Sequence, residues 1–193
     1  SIKDPQLENT MKLDWLHVSG INLREEVVRT SMLKAMKLCF ENNVTISFDL
    51  NLRVELWGLN SELKATIYEA ISYSEFVFGS LNEEFVNIFD SKNIKNEIKN
   101  IAHKDQVFII RDGPNGSFAY KNNLEYITPA IDIEPVDTVG AGDAFNTGFI
   151  HSMINSSNLE ISLVKANAVA AYKLLGESAR HLPNMKELET FLN

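Results

Sequence analysis

The stretch Asp137-Thr-Val-Gly-Ala-Gly-Asp-Ala-Phe-Asn-Thr-Gly-Phe-Ile150 places three small residues directly before a helical pattern. The first backbone N–H groups of a helix have no intrahelical partner, and the helix dipole adds positive potential there. Because Gly140, Ala141 and Gly142 let a bulky anion approach closely, the stretch predicts a phosphate cradle. Asp143 follows in the first helical turn, where a carboxylate is stabilised and can serve as a general base.

A carboxylate beside a phosphate cradle is the arrangement that phosphoryl transfer to a hydroxyl requires. The residues alone leave a second interpretation open. In it, the glycines form an ordinary turn and Asp143 is only a helix-start residue.

Asp137–Ile150 closely resembles the second signature of the PfkB, or ribokinase-like, family of carbohydrate kinases. Thr147 departs from the Ala, Gly or Ser that the family more often carries there. The resemblance implies an ATP-dependent kinase in which Asp143 takes the proton of a sugar hydroxyl. It also implies that the amides of Gly140, Ala141 and Gly142 stabilise the charge on the transferred phosphoryl group.

Apolar segments of strand length alternate with helical patterns, which predicts an α/β fold with a mostly parallel sheet and helices on both faces. The predicted strands are Trp15–Ser19, Val44–Leu50, Glu75–Gly79, Gln106–Arg111, Ser117–Lys121 and Leu124–Ile127. The predicted helices are Arg24–Glu41, Ser61–Ser72, Asn82–Phe89, Ile94–His103, Ala141–Ile154, Glu160–Leu175 and Met185–Leu192. Sheets of this kind bind ligands at the carboxyl ends of their strands. The family resemblance implies a ribokinase-like form of this fold.

A second polar segment follows the strand that ends near residue 50. In an extended chain Asp49, Asn51 and Arg53 alternate with leucines and share one face. Phe48–Trp57 is similar to a segment of 2-keto-3-deoxygluconate kinases. That resemblance implies that Asn51 and Arg53 bind substrate, with Arg53 on the carboxylate of an acid sugar. The alternative is a solvated strand end in which Arg53 pairs with Glu55.

Ile109–Phe118 resembles the turn that faces the nucleotide in the family. The resemblance implies nucleotide binding by Arg111, Gly113, Gly116, Gly140 and Gly142. The alternative is an ordinary Gly-Pro-Asn-Gly turn. Asn167 begins a run of small residues similar to the family's adenine pocket, and close helix packing is the alternative for that run.

The segment Ser80–Phe85 falls where the family carries Asn-x-x-Glu for its magnesium and phosphate network. Asn82 matches, but Phe85 replaces the final Glu. Either of the neighbouring acids, Glu83 or Glu84, could take its place through a bound water, with Glu83 the leading candidate beside Asn82. The alternative is a helix cap followed by acidic residues. A monovalent cation is a further expectation, held by Asp137 and the loop after Gly176 as in some relatives.

Composition narrows the remaining possibilities. The chain has 193 residues, a formal net charge of -8 and a single cysteine. This excess of acidic residues disfavours binding to nucleic acid or to anionic lipid. No apolar run is long enough to span a bilayer, and one cysteine fits a reducing compartment, so we expect a cytoplasmic protein.

Residues 1–14 do not resemble the N-terminal part of the family, which supplies the first strands and a β-sheet lid. We therefore expect residues 1–193 to be the C-terminal part of one kinase domain, with those strands and the lid missing. The expected partners are ATP, Mg²⁺ and a sugar acid, with 2-keto-3-deoxygluconate leading and a homo-oligomer left open. The alternatives are another sugar or nucleoside kinase of the family, or a non-catalytic nucleotide-binding relative.

Overall fold

The computed structural model describes residues 13–155 and 157–192. Six strands form one sheet in the order β1–β2–β3–β4–β5–β6. They are β1 (Trp15–Ser19), β2 (Thr45–Asp49), β3 (Phe76–Ser80), β4 (Val107–Arg111), β5 (Ser117–Lys121) and β6 (Leu124–Thr128). The helices are α1 (Glu26–Glu41), α2 (Val54–Trp57), α3 (Ser61–Tyr73), α4 (Val86–Phe89), α5 (Ile94–Ile101), α6 (Ala141–Ile154), α7 (Leu159–Leu174) and α8 (Met185–Leu192).

The sheet is mostly parallel, as predicted. β2 pairs with β1 over its whole length and with β3 from Ser47 onward, both in parallel. Parallel strands covered on both faces read as continuous apolar runs, and Phe76–Gly79 and Val107–Ile110 are buried throughout. The alternation of such runs with helical patterns therefore predicted the fold class correctly.

The chain divides into two compact units. The first contains the residues up to Ile110 together with Tyr120–Leu124, and the second contains Arg111–Ala119 and the residues from Glu125 onward. Four of the helices begin with an asparagine whose Oδ1 accepts an amide proton of the first turn, at Asn60, Asn93, Asn158 and Asn184. No helix in the described ranges is long and apolar enough to cross a membrane.

The structure differs from the sequence prediction in three segments. A 3₁₀ helix at Gly20–Arg24 precedes α1, because Glu25 is extended and interrupts the helical path. The predicted helix Asn82–Phe89 begins with a π turn at Leu81–Phe85 and only then continues as α4. The short helix α2 was not predicted, since four residues are too few to show a helical period.

Cys39 lies on the buried face of α1 and is 1 % exposed. Burial raises the pKa of its thiol, which opposes formation of the reactive thiolate. Cys39 is therefore a core residue and not a candidate nucleophile.

We expect Cys39 to react with a thiol reagent at least about a hundredfold more slowly in the native protein than in urea, because reaction requires local opening. Absorbance of the released thiolate from an aromatic disulfide reagent measures the rate. Lys37→Cys in a Cys39→Ala background is the matched control, because residue 37 is exposed on the same helix. Equal rates at positions 37 and 39 would contradict a buried thiol.

Candidate functional site

The predicted phosphate cradle lies at the start of α6 in the second unit. Gly140 is the N-cap and adopts the left-handed conformation, with φ 82°. Its Cβ position would lie 3.1 Å from Cβ of Ala179, so glycine is favoured by both conformation and packing. Asp143 is exposed in the first turn, at the end of the helix where a carboxylate is stabilised.

Some backbone amides at this helix start donate to backbone carbonyls, and others do not. The amide of Ala141 donates to the Thr138 carbonyl at 3.2 Å, and the amide of Ala144 donates to that of Gly140 at 2.9 Å. Among the described residues, the amides of Gly140, Gly142 and Asp143 have no backbone acceptor. The amides without a backbone acceptor are therefore those of residues 140, 142 and 143, and anion binding by them stays a prediction. This set differs from the prediction, which included Ala141 in place of Asp143.

Arg111, at the end of β4, brings a positive charge to this helix start. Its Nη1 donates to Oδ1 of Asn146 at 2.8 Å and to the carbonyl of Gly142 at 3.4 Å. A Cβ on Gly142 would lie 3.3 Å from the same nitrogen, so glycine permits the close approach. Asn146 is buried, and the sequence analysis did not identify it as a site residue. A polar residue on the apolar side of a helix could have indicated it, because a buried polar group needs a hydrogen-bond partner.

The turn after β4 contains the two glycines predicted to face the nucleotide. Gly113 has φ 53° and open space where a Cβ would point. Gly116 has φ 98°, and a Cβ there would collide with the carbonyl oxygen of Thr128. Gly116 is thus required by the fold itself, whereas Gly113 leaves an accessible backbone. Nucleotide binding by either glycine stays a prediction.

Asn167 lies on α7 and is 9 % exposed. Its Nδ2 donates to the carbonyls of Thr128 at 3.2 Å and Pro129 at 3.1 Å, which anchors the end of β6. This hydrogen bonding gives Asn167 a structural task, and its predicted part in an adenine pocket stays a prediction.

In the first unit, the segment after β2 was predicted to be extended, but the structure shows that it is not. Asn51 and Arg53 both adopt positive φ, 35° and 50° respectively, and Arg53 is the N-cap of α2. Asp49, Asn51 and Arg53 therefore do not share one face of an extended chain, and that prediction is wrong. Asn51 Nδ2 instead donates to Oγ of Ser19 at 3.1 Å, while Asp49 is buried.

The guanidinium of Arg53 is exposed, and it forms no ion pair within the described ranges. The alternative of an Arg53–Glu55 pair is not seen there. Arg24 holds this loop in place, since its Nη2 donates to the carbonyls of Leu52 and Gly58. Arg24 was also missed from the sequence, because its partners lie 28 and 34 residues away.

The acidic turn after β3 contains the candidate metal residues. Asn82 and Glu83 are exposed, whereas Glu84 is 5 % exposed. Glu84 uses both oxygens on backbone amides, of Leu52 at 2.8 Å and of Ser80 at 2.7 Å. Of the two acidic residues in the turn, Glu83 is thus the exposed one, and cation binding by Asn82 and Glu83 stays a prediction. An amide oxygen and one carboxylate fit Mg²⁺, which keeps several waters.

The chain is similar in sequence to proteins of known family. Residues 4–186 match the family described as pfkB family carbohydrate kinase. The chain is 31 % identical over 171 residues to a fructokinase of Vibrio alginolyticus, covering 88 % of this chain and 54 % of that protein. It is 29 % identical over 182 residues to a 5-dehydro-2-deoxygluconokinase of Listeria innocua, covering 92 % and 56 %. The chain therefore spans about half the length of these curated relatives.

Solved structures show the same similarity. A fructokinase of Vibrio cholerae O395 with fructose, ADP and calcium ion bound superposes with a TM-score of 0.84. It is 27 % identical, over 93 % of this chain and 60 % of that one. A double mutant of that fructokinase, 26 % identical with the same TM-score, was solved with fructose, ADP and potassium ion bound, and the same shares of each chain are covered.

Proposed function

Because this chain belongs to the pfkB family of carbohydrate kinases, we propose that it transfers the γ-phosphoryl group of ATP to a sugar hydroxyl. The observation that carries the proposal is the start of α6. Three amides of this helix start have no backbone acceptor in the described chain. The Asp143 carboxylate is exposed in the same turn, and the Arg111 guanidinium donates to the carbonyl of Gly142 there. Amides and a cation suit a phosphate, and a carboxylate suits an incoming hydroxyl.

In the proposed reaction, the carboxylate of Asp143 accepts the proton of the sugar hydroxyl. The sugar oxygen forms a bond to the γ-phosphorus as the bond between that phosphorus and the ADP oxygen breaks. The amides of Gly140, Gly142 and Asp143 donate to the phosphoryl oxygens, whose negative charge they stabilise. Arg111, and the backbone around Gly113, are proposed to lie along the remaining phosphates of the nucleotide.

Asn82 and Glu83 would hold Mg²⁺ through an amide and a carboxylate oxygen. When bound, the ion neutralises phosphate charge. Glu84 is buried and each of its oxygens already accepts a backbone amide, which favours the exposed Glu83 for this role.

We propose a sugar acid as the substrate, with 2-keto-3-deoxygluconate as the leading member of the class. The exposed Arg53, which no acidic side chain of the described residues neutralises, supports this choice, as does the relative named 5-dehydro-2-deoxygluconokinase. A neutral sugar is the second candidate, since another relative is named fructokinase. Release of ADP, measured by a coupled assay on gluconate-derived and neutral sugars, distinguishes them. Equal turnover of both would overturn the assignment of a sugar acid.

Arg53→Ala is expected to raise KM for the sugar acid about 10- to 150-fold, the equivalent of about 1.5–3 kcal/mol for hydrogen bonds to a charged group. The guanidinium would bind the carboxylate in the ground and transition states alike, so kcat should change little. Arg53→Lys keeps the charge but loses the bidentate geometry, so its KM for the sugar acid should lie between those of wild type and Arg53→Ala. An unchanged KM for the acid, or an equal rise in KM for a neutral sugar and for ATP, would show that Arg53 does not bind the substrate carboxylate.

A nucleotide-binding protein without turnover is the remaining alternative. Calorimetry with ATP, run beside the coupled assay, separates it from a kinase. Retained ATP affinity with no ADP release on any sugar would favour the binding protein.

A further inference from the structure

Lys173, on α7, is a fully buried lysine with 0 % of its side chain exposed. Lysine is almost never fully buried unless its charge is compensated, because removing an ammonium from water is costly. The compensation is local: Nζ donates to the backbone carbonyl of Asp137 at 2.7 Å and to its Oδ2 at 3.1 Å. The buried ammonium of Lys173 thus binds two oxygens of a single residue, Asp137, in the loop that leads into α6.

That loop is held at several points by the same helix end. The amides of Val136 and Asp137 donate to the carbonyl of Leu174, at 2.8 and 3.4 Å. Oδ1 of Asp137 accepts the amide of Val139 at 3.1 Å. The amide of Val139, followed by the hydrogen bond from Lys173, lowers the pKa of the Asp137 carboxyl below its ordinary value. Asp137 is therefore ionised at neutral pH, and its two carboxylate oxygens accept the amide of Val139 and the ammonium of Lys173.

The oxygens around the Lys173 ammonium are of the kind that a potassium ion uses. Potassium in proteins replaces its hydration shell with carbonyl oxygens, and an ammonium is a compact single positive charge that donates to the same atoms. The sequence predicted a monovalent cation held by Asp137 and the loop after Gly176. At Asp137, however, a carbonyl and a carboxylate oxygen are already bound to Nζ.

We propose that the ammonium of Lys173 takes the place of a monovalent cation in this chain and holds the Asp137–Gly140 loop in the shape of the phosphate cradle. The inference rests on the proposed function, since it concerns the cradle of that site. Lys173 is a positioning residue: it touches Asp137, and Asp137 positions the backbone that would meet the phosphate. The protein should accordingly need no potassium, although the potassium-bound fructokinase shares its fold.

The thermal unfolding midpoint in potassium chloride, compared with tetramethylammonium chloride at equal ionic strength, tests the proposal without substrate. Wild-type protein is expected to unfold at the same temperature in both salts. Lys173→Ala removes the ammonium and leaves space among the same oxygens, so potassium should raise its midpoint by several degrees. Lys165→Ala, on the same helix and without an ion pair in the described residues, is the matched control and should respond to neither salt.

Nucleotide affinity gives the second readout. Potassium should tighten ADP binding to Lys173→Ala by about 5- to 150-fold, the usual range of coupling between two sites, and leave wild type unchanged. A wild-type midpoint that rises in potassium overturns the proposal, and this result needs no variant to fold. A folded Lys173→Ala that ignores potassium in both measurements overturns it as well. Absence of ADP affinity in every protein and salt would contradict the proposed function instead, while the unfolding midpoints still decide the role of Lys173.

Discussion

Asp143→Asn is expected to lower kcat about 10²- to 10⁴-fold, which is the usual contribution of a general base. The amide keeps the size of the carboxylate but cannot accept the proton of the sugar hydroxyl. Because the side chain is exposed at the helix start, the substitution should leave the fold intact. KM for ATP and for the sugar should stay close to the wild-type values, since the proton moves only as the transition state forms.

The measurement is steady-state release of ADP by the longest natural form of the protein. Thr147→Ala serves as the control, because Oγ1 of Thr147 donates to the backbone carbonyl of Asp143 at 2.8 Å. It alters the surroundings of residue 143 without removing a carboxylate, so its kcat should remain near that of wild type. A wild-type kcat for Asp143→Asn would show that the proposed mechanism is wrong.

The parts of this site that could be predicted are those encoded locally. Small residues before a helical pattern predicted the start of α6 at Ala141, and the structure places it there. Alternation of apolar runs with helical patterns predicted the sheet, because each element must bury one face. In both cases the physical cause acts over a few neighbouring residues and leaves a visible spacing.

The parts that could not be predicted depend on partners far along the chain. Arg111 meets Asn146 across 35 residues, and Lys173 meets Asp137 across 36. No spacing rule connects such pairs until the sheet and helices are assembled. The left-handed backbone of Asn51 and Arg53 is likewise invisible to a period-2 pattern, which treats every residue of a strand end as extended.

Glu84 is a further residue whose distant partner could not be predicted from the sequence, and its substitution is expected to cause a large loss of stability. From sequence it was one of two equivalent acids in a turn, yet it is buried while Glu83 is exposed. Its carboxylate joins the turn after β3 to the loop after β2, since it accepts the amides of Ser80 and Leu52. The π turn at Leu81–Phe85 is the local geometry that contains it.

Glu84→Gln should therefore destabilise the protein, whereas Glu83→Gln should not. The glutamine keeps one acceptor but turns an N–H group toward a backbone N–H group, leaving a donor without a partner. An unsatisfied buried donor costs about 1–3 kcal/mol, and Glu84→Ala, which orphans both amides, should cost about 3 kcal/mol or more. For a chain of this size, 3 kcal/mol corresponds to a fall of about 6–12 °C in the unfolding midpoint. Urea unfolding monitored by circular dichroism measures the difference, and Glu83→Gln should remain within about 0.5 kcal/mol of wild type. Equal stability of the two glutamine variants would mean that the Glu84 carboxylate does not hold these loops together.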